Sequence, residues 1–148
     1  MPSAQQLLIF ISAFAPGDEG AIHAYRLDAD SGTLTEVHRH ADITEPFFLA
    51  LSPDRNFLYS IHSPDQFGGE SHEEIAAYAI VGDNGELKPL NRQSALGSAS
   101  CYLEVDATGK TVLVSNYSTG SVASFPVQAD GSLGEAATFQ QHVVATGD

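Results

Sequence analysis

Ile22-His-Ala-Tyr25-Arg-Leu27-Asp-Ala-Asp-Ser-Gly32-Thr-Leu34 aligns without a gap on Ile75-Ala-Ala-Tyr78-Ala-Ile80-Val-Gly-Asp-Asn-Gly85-Glu-Leu87. A third copy follows at Val122-Ala-Ser-Phe125-Pro-Val127-Gln-Ala-Asp-Gly131-Ser-Leu133. In each, alternating apolar residues run into a turn carrying Asp or Asn and Gly, and a second apolar run begins at a Leu. This is the pattern of a β-hairpin. Upstream of the last two copies, Phe48-Leu-Ala-Leu51-Ser-Pro-Asp54 with Phe57-Leu-Tyr59 matches Tyr102-Leu-Glu-Val105-Asp-Ala-Thr-Gly109 with Val112-Leu-Val114, with one residue inserted. The repeat is therefore about fifty residues long, a period that marks an array of supersecondary units.

Each unit reads as four short strands, A to D. The second unit gives Pro46 to Ser52, Phe57 to His62, Glu74 to Ile80 and Leu87 to Ser94. The third gives Cys101 to Asp106, Thr111 to Asn116, Ser121 to Val127 and Leu133 to Gln140. The first has B (Leu7 to Phe14), C (Ala21 to Asp28) and D (Thr33 to Ala41), with no A strand before it. Four antiparallel strands at this period predict an all-β fold, a β-propeller, in which each blade buries its two faces against its neighbours. The continuous run Val112-Leu-Val114 fits a strand covered on both sides. Closed propellers commonly have about four to eight blades. The chain thus reads as a partial propeller over residues 1–148: blade 1 at 7–41, blade 2 at 46–94, blade 3 at 101–140, and 141–148 leading into a fourth blade not present here.

Composition agrees. Hydrophobic residues make up 43% and charged residues 17% of the 148, which excludes a disordered chain, and thirteen Gly with seven Pro and no Trp suit many short strands and turns. Six Lys and Arg against nineteen Asp and Glu leave a net charge of −13, so nucleic acid and anionic membranes would be repelled. One Cys excludes an intrachain disulfide and a CxxC motif, and a cytoplasmic location is expected. Leu7 to Ala15 is apolar and ends in a small-x-small triplet, but Met1 to Gln6 carries no Lys or Arg, and the repeat uses the segment as a strand.

The segments Phe48 to Asp54 with Phe57 to Tyr59, Cys101-Tyr-Leu-Glu-Val-Asp106, and above all Val114-Ser-Asn-Tyr-Ser-Thr-Gly-Ser-Val-Ala-Ser-Phe125 followed by Asp130-Gly-Ser-Leu133 resemble the seven-bladed lactonase propellers, the group of 6-phosphogluconolactonase-like proteins and carboxymuconate cyclases. The resemblance runs from Leu7 to the end and covers the family's blades one to three. It implies that a C-terminal strand completes the first blade. It also implies that the His-bearing segment of the fourth A strand, a favoured catalytic element, lies past Asp148. This sequence departs from the family at Ser100, where a Pro is usual, at Tyr102, often a His, and at His62-Ser63, often Asn-Glu.

Meander parity places A-B and C-D turns on one end and B-C and D-A connections on the other. The first set is short and stereotyped; the second is longer and varied, including Ser63 to Glu73, and variable loops on a rigid scaffold make it the candidate functional end. His62, Asn116 and Tyr117 stand there at the B-strand exits. His62 reads as a general base for water attacking a lactone carbonyl, or as a surface loop histidine. Asn116 and Tyr117 read as ligands of a substrate hydroxyl or oxyanion, or as a turn-capping Asn and a blade-packing Tyr. Cys101 and Tyr102 are the innermost candidates for substrate contact, with Cys101 also readable as a small buried hydrophobe. Glu104 faces the channel or pairs within the stack. His72 and Glu70 lie in the long loop, where no ligand spacing makes a metal site. Tyr25, Tyr78 and Phe125 recur at one position and belong to the blade core.

None of Arg26, Arg39, Arg55, Lys88, Arg92 and Lys110 falls in the long loops, whereas the candidate end carries Asp18, Glu19, Asp42, Glu45, Asp65, Glu70 and Glu73. A phosphate clamp would have to come from further blades. The expectation is part of a lactone hydrolase acting on a small sugar lactone, without metal or cofactor, its partners being the remaining blades or a second copy. The rivals are a non-catalytic binding scaffold and an inactive fragment.

Overall fold

A computed structural model describes residues 6–41, 43–64 and 72–143. Its strands are β1 (Gln6–Ala13), β2 (Ala21–Asp28), β3 (Leu34–His40), β4 (Pro46–Leu51), β5 (Phe57–His62), β6 (Glu74–Val81), β7 (Glu86–Ser94), β8 (Ser100–Val105), β9 (Thr111–Asn116), β10 (Ser121–Pro126) and β11 (Thr138–Gln141). They form a three-stranded sheet β1-β2-β3 and four-stranded sheets β4-β5-β6-β7 and β8-β9-β10-β11, antiparallel throughout. The all-β expectation holds, and β4 and β8 are the innermost strands of their blades.

Two cores lie between the three blades. Ile22, Ile43, Leu58, Ala76, Tyr78 and Leu87, with Phe10 and Leu49, pack blade 1 on blade 2. Tyr59, Ile61, Ile75, Ala77, Leu103 and Phe125 are among those that pack blade 2 on blade 3. Alternation in β5 explains this division: Leu58 points back to blade 1 and Tyr59 forward to blade 3, so the strand is buried on both faces. The recurrent aromatics Tyr78 and Phe125 are 2% and 1% exposed, as blade-core residues should be, whereas Tyr25, expected with them, is only partly buried and belongs to neither core.

The hairpin glycines serve two purposes. Gly85 and Gly131 have φ of 75° and 87°, a region glycine enters without penalty. They also let the turn press on the preceding blade: a methyl group at Gly131 would overlap the Phe57 ring, and one at Gly85 would crowd Phe10 and Ala24. The Tyr59 hydroxyl donates to Gly131 O at 2.9 Å, fastening that turn.

The A-B turns achieve one geometry with two chemistries. In blade 2, Ser52 Oγ accepts from Phe57 N and donates to the Asp54 carboxylate. In blade 3 the groups are exchanged: Asp106 Oδ1 accepts from Lys110 N and Thr111 N, and Thr108 Oγ1 donates to Asp106 Oδ2. These hydrogen bonds, with that from Thr108 foremost, hold the Asp106 carboxyl down at about 2.

Two sequence expectations need correction. Leu51 pairs with Leu58 and Val105 with Val112, so the two A-B turns have equal length and no residue is inserted. The last D strand does not begin at Leu133. That residue forms only an isolated bridge to Val127, and regular pairing resumes at Ser124 with Thr138. Blades 1 and 2 each have a one-residue bulge here, after Ala24 and Ala77. In blade 3 the partner segment is one residue longer, and Pro126 has no N–H with which to continue the ladder.

Candidate functional site

The B-C/D-A end is built on a buried polar network at the blade 2 and blade 3 junction. Asn116, the last residue of β9, is 2% exposed. Its Nδ2 donates to Ala95 O at 2.9 Å and Ser121 Oγ at 3.1 Å, and its Oδ1 accepts from Ser100 Oγ at 2.6 Å. Ser100 N and Oγ also reach Glu73 Oε2, at 3.4 and 3.5 Å. Gly97 must be glycine, because a methyl group there would strike Asn116 Nδ2. Asn116 is thus satisfied by the protein and offers substrate no free hydrogen-bonding group; it braces the turn above it. Glu73 and Glu45, expected among the charges of this end, are each only 3% exposed and do not contribute an open anionic surface.

Tyr117 stands on that braced turn. Its N–H donates to Ala99 O at 2.9 Å, and its side chain is 81% exposed, so it is not a blade-packing residue. The bond also joins it to the entry of β8, bringing Tyr117, Cys101 and Tyr102 to one end of the inner strand. Cys101 is exposed, not buried. A register shift between Ser100 and Tyr102 interrupts the alternation that would have turned it inward. Tyr102 is 47% exposed, lies 5.3 Å from the Phe48 ring, and donates its hydroxyl to Glu104 Oε2 at 3.1 Å. That hydrogen bond and the carboxylate charge push the phenol's pKa up, so it stays protonated, its one proton shared with Glu104. Glu104 is exposed on the same face as Tyr102.

His62 is neither an accessible base nor a surface histidine. It is 1% exposed at the blade 1 and blade 2 junction. Thr44 O, 3.0 Å from Nδ1, can only accept, so Nδ1 carries the proton and Nε2 accepts from the Tyr78 hydroxyl at 3.2 Å. Burial, aided by the Arg92 guanidinium, lowers its pKa to about 4. At neutral pH both nitrogens are engaged. The Thr44 segment of the D-A connection closes over the strand exit, which parity cannot reveal.

Sequence reasoning also missed two cations. Arg39 reaches the first B-C loop, donating to Asp18 O at 2.8 Å, and Arg92 pairs with Glu74 at 3.0 Å near the same end. Both stand near the ends of D strands, the one signal that would have found them. His72 is exposed; Glu70, Asp42 and Asp65 lie outside the described residues. No group of His, Cys, Asp or Glu able to hold a metal occurs among the described residues. No helix among them is long and apolar enough to cross a membrane.

The sequence matches, over residues 8–147, the family described as "Lactonase, 7-bladed beta-propeller". The chain belongs to this family. It is 36% identical over 124 residues to 6-phosphogluconolactonase of Bacillus subtilis, an alignment covering 84% of this chain and 34% of that protein. Over 126 residues it is 31% identical to 6-phosphogluconolactonase of Formosa agariphila, covering 84% and 35%. Among solved structures, a putative 6-phosphogluconolactonase of Bacteroides fragilis superposes with a TM-score of 0.81 at 26% identity, covering 96% of this chain and 38% of that one. The periplasmic gluconolactonase of Pseudomonas aeruginosa gives 0.75 at 26%, covering 93% and 38%. The chain spans about a third of the length of the curated relatives it matches.

Proposed function

We propose that this lactonase-family chain forms part of a hydrolase that opens a small sugar lactone with water, without a metal or organic cofactor, and that further blades complete its site. The observation that carries the reading is the 36% identity to a 6-phosphogluconolactonase over most of the chain. The described blades contribute donors more than bases. Tyr117, exposed on a braced turn, is suited to donate to a substrate oxygen, and Tyr102, whose one proton is held by Glu104, is suited to accept from a substrate hydroxyl. Cys101 lines the same inner strand. Asn116 positions Tyr117, and His62 holds two blades together instead of taking a proton from water. The base and any cation for the developing oxyanion come from further blades, and alone these three should be inactive. Cytoplasmic residence is part of the proposal, supported by the single cysteine.

The experiment is a lactone-hydrolysis assay, corrected for spontaneous opening, on a form extended by further blades. Tyr117→Phe is expected to lower kcat/KM about tenfold, the worth of one hydrogen bond to a substrate oxygen. Arg55→Gln, at the opposite end, should leave the rate unchanged. Equal rates for the parent and a Tyr102→Phe, Tyr117→Phe double variant would remove this end from the site.

A further inference from the structure

We propose that Asn84-Gly85, in the turn between β6 and β7, is a site of spontaneous deamidation, at which the chain rearranges to isoaspartate and loosens the junction of blades 1 and 2. The inference goes beyond the lactonase reading and does not rest on it.

Asn84 is the one asparagine in the sequence with glycine after it; Phe57, Arg92 and Tyr117 follow the others. The reaction begins when the backbone nitrogen of the next residue attacks the asparagine side chain, and a residue without a Cβ leaves that approach open. The other three amides are also held in place: Asn56 Nδ2 donates to Asp54 Oδ2, Asn91 Nδ2 to Leu133 O and Asn116 Nδ2 to Ala95 O. Asn84 is exposed, and among the described residues none hydrogen-bonds to its side chain. The equivalent turns secure the nitrogen as well. Gly32 N donates to Asp28 O at 2.8 Å and Gly131 N to Gln128 O at 2.9 Å, whereas no described residue takes the Gly85 N–H. In blade 3, Asp130 Oδ1 is occupied by Ser132 N and Ser132 Oγ. Only in blade 2 do the attacking nitrogen and the electrophilic carbon adjoin with no bond to give up first. Asp130, the equivalent of Asn84, is exposed too although the blade before it is four-stranded, so the exposure belongs to the turn itself.

The step balances with water alone. Gly85 N, losing its proton to hydroxide, bonds to Asn84 Cγ; the Cγ–Nδ2 bond breaks and ammonia leaves, closing a succinimide ring. Water then opens the ring at either carbonyl. Breaking the bond to Cγ gives aspartate, and breaking the bond to the backbone carbonyl gives isoaspartate, whose main chain runs through the former side chain. One water is consumed, one ammonia is released and one negative charge is gained. Isoaspartate also inserts a methylene into the backbone just before Gly85. That residue is buried against blade 1, where an added Cβ would come within 3.0 Å of Ala24 and the Phe10 ring, and the Asp83 carbonyl beside it accepts from Arg26 of blade 1. The lengthened chain cannot keep Gly85 on this seat and Asp83 on Arg26 together, so isoaspartate weakens the junction. Aspartate, with the native backbone, does not.

The test is incubation of the folded 148-residue chain in mildly alkaline buffer, followed by intact mass and by peptide mapping for isoaspartate. The protein should gain one mass unit, located at Asn84, at a rate that rises in proportion to hydroxide. Asn84→Gln, whose longer side chain closes the ring far less readily, should lose the change. Folded protein that stays unmodified at Asn84 for as long as the urea-unfolded chain takes to react overturns the proposal, because the native turn is then protective. So does modification that begins at Asn56, Asn91, Asn116 or Asp130. The purified isoaspartate form should unfold at a lower urea concentration, by circular dichroism, than both the parent and Asn84→Asp, which carries the charge on a native backbone. A midpoint equal to that of Asn84→Asp would overturn the loosening of the junction.

Discussion

Lowering the pH from 7 to 4.5 should destabilise this protein through one buried imidazole. In the unfolded chain His62 titrates near 6.5, whereas its folded pKa is about 4. Between those values the unfolded state holds more protons than the folded state. The contribution of neutral His62 is therefore fully present above pH 6.5, falls as pH drops through the window, and is gone below about 4. The difference corresponds to about 3 kcal/mol in total, most of it lost by pH 4.5. The charged groups around the ring are Arg92, which opposes protonation, and Glu74, which favours it; neither overcomes burial. The carboxyls of Asp28, Asp54, Asp106 and Asp130 are all held below 3.8 by their turns, so their contributions are lost only at lower pH, in a separate window. The assay is urea unfolding followed by far-UV circular dichroism at fixed low protein concentration, at pH 7 and 4.5, for the parent and His62→Leu. The variant should be less stable at pH 7, through loss of the Thr44 and Tyr78 bonds, yet lose about 2–3 kcal/mol less than the parent on acidification. An equal pH dependence in both proteins would refute the reasoning.

Three further outcomes are expected. Gly131→Ala should cost about 2–4 kcal/mol in urea unfolding, from strain at positive φ and overlap with Phe57, while Gly32→Ala should cost only about 1 kcal/mol, having the strain without the overlap. Asn116→Ala should cost about 2–3 kcal/mol by stranding buried partners, and a loss below about 0.5 kcal/mol would contradict the bracing role. Cys101 should react with a thiol reagent in the native protein at a rate independent of low urea concentrations; labelling that requires unfolding would contradict its exposure.

The stacking of sheets was legible because Tyr25, Tyr78 and Phe125 repeat at a fixed place before turns that carry Gly32, Gly85 and Gly131, and local turn chemistry sets strand pairing. What escaped were features fixed by neighbours in space. Parity puts His62 at one end of a strand and on one face, but its depth depends on the Thr44 connection passing over it. Cys101 was misjudged because a bulge suspends alternation for one step, and a bulge at Ser100 has no signature as strong as a glycine. The late start of β11 had a visible cause in Pro126, whose lack of an N–H is readable from sequence, although the length of the resulting bulge is not. For Tyr117 the sequence left substrate contact and blade packing both open, and only its place in the turn after β9, where it is exposed, excludes the packing reading.

The two A-B turns carry a lesson about divergence. Serine followed by aspartate in blade 2 and aspartate followed by threonine in blade 3 hold the same loop, so the turn depends on the pair and not on either residue alone. Converting Asp106 alone to serine leaves two hydroxyls and no carboxylate, and converting Ser52 alone to aspartate sets two carboxylates side by side. Each position in these turns is therefore defined by its partner, so the substitutions that turn one version into the other are expected to be non-additive, while the pair moved together keeps one hydroxyl and one carboxylate in the loop.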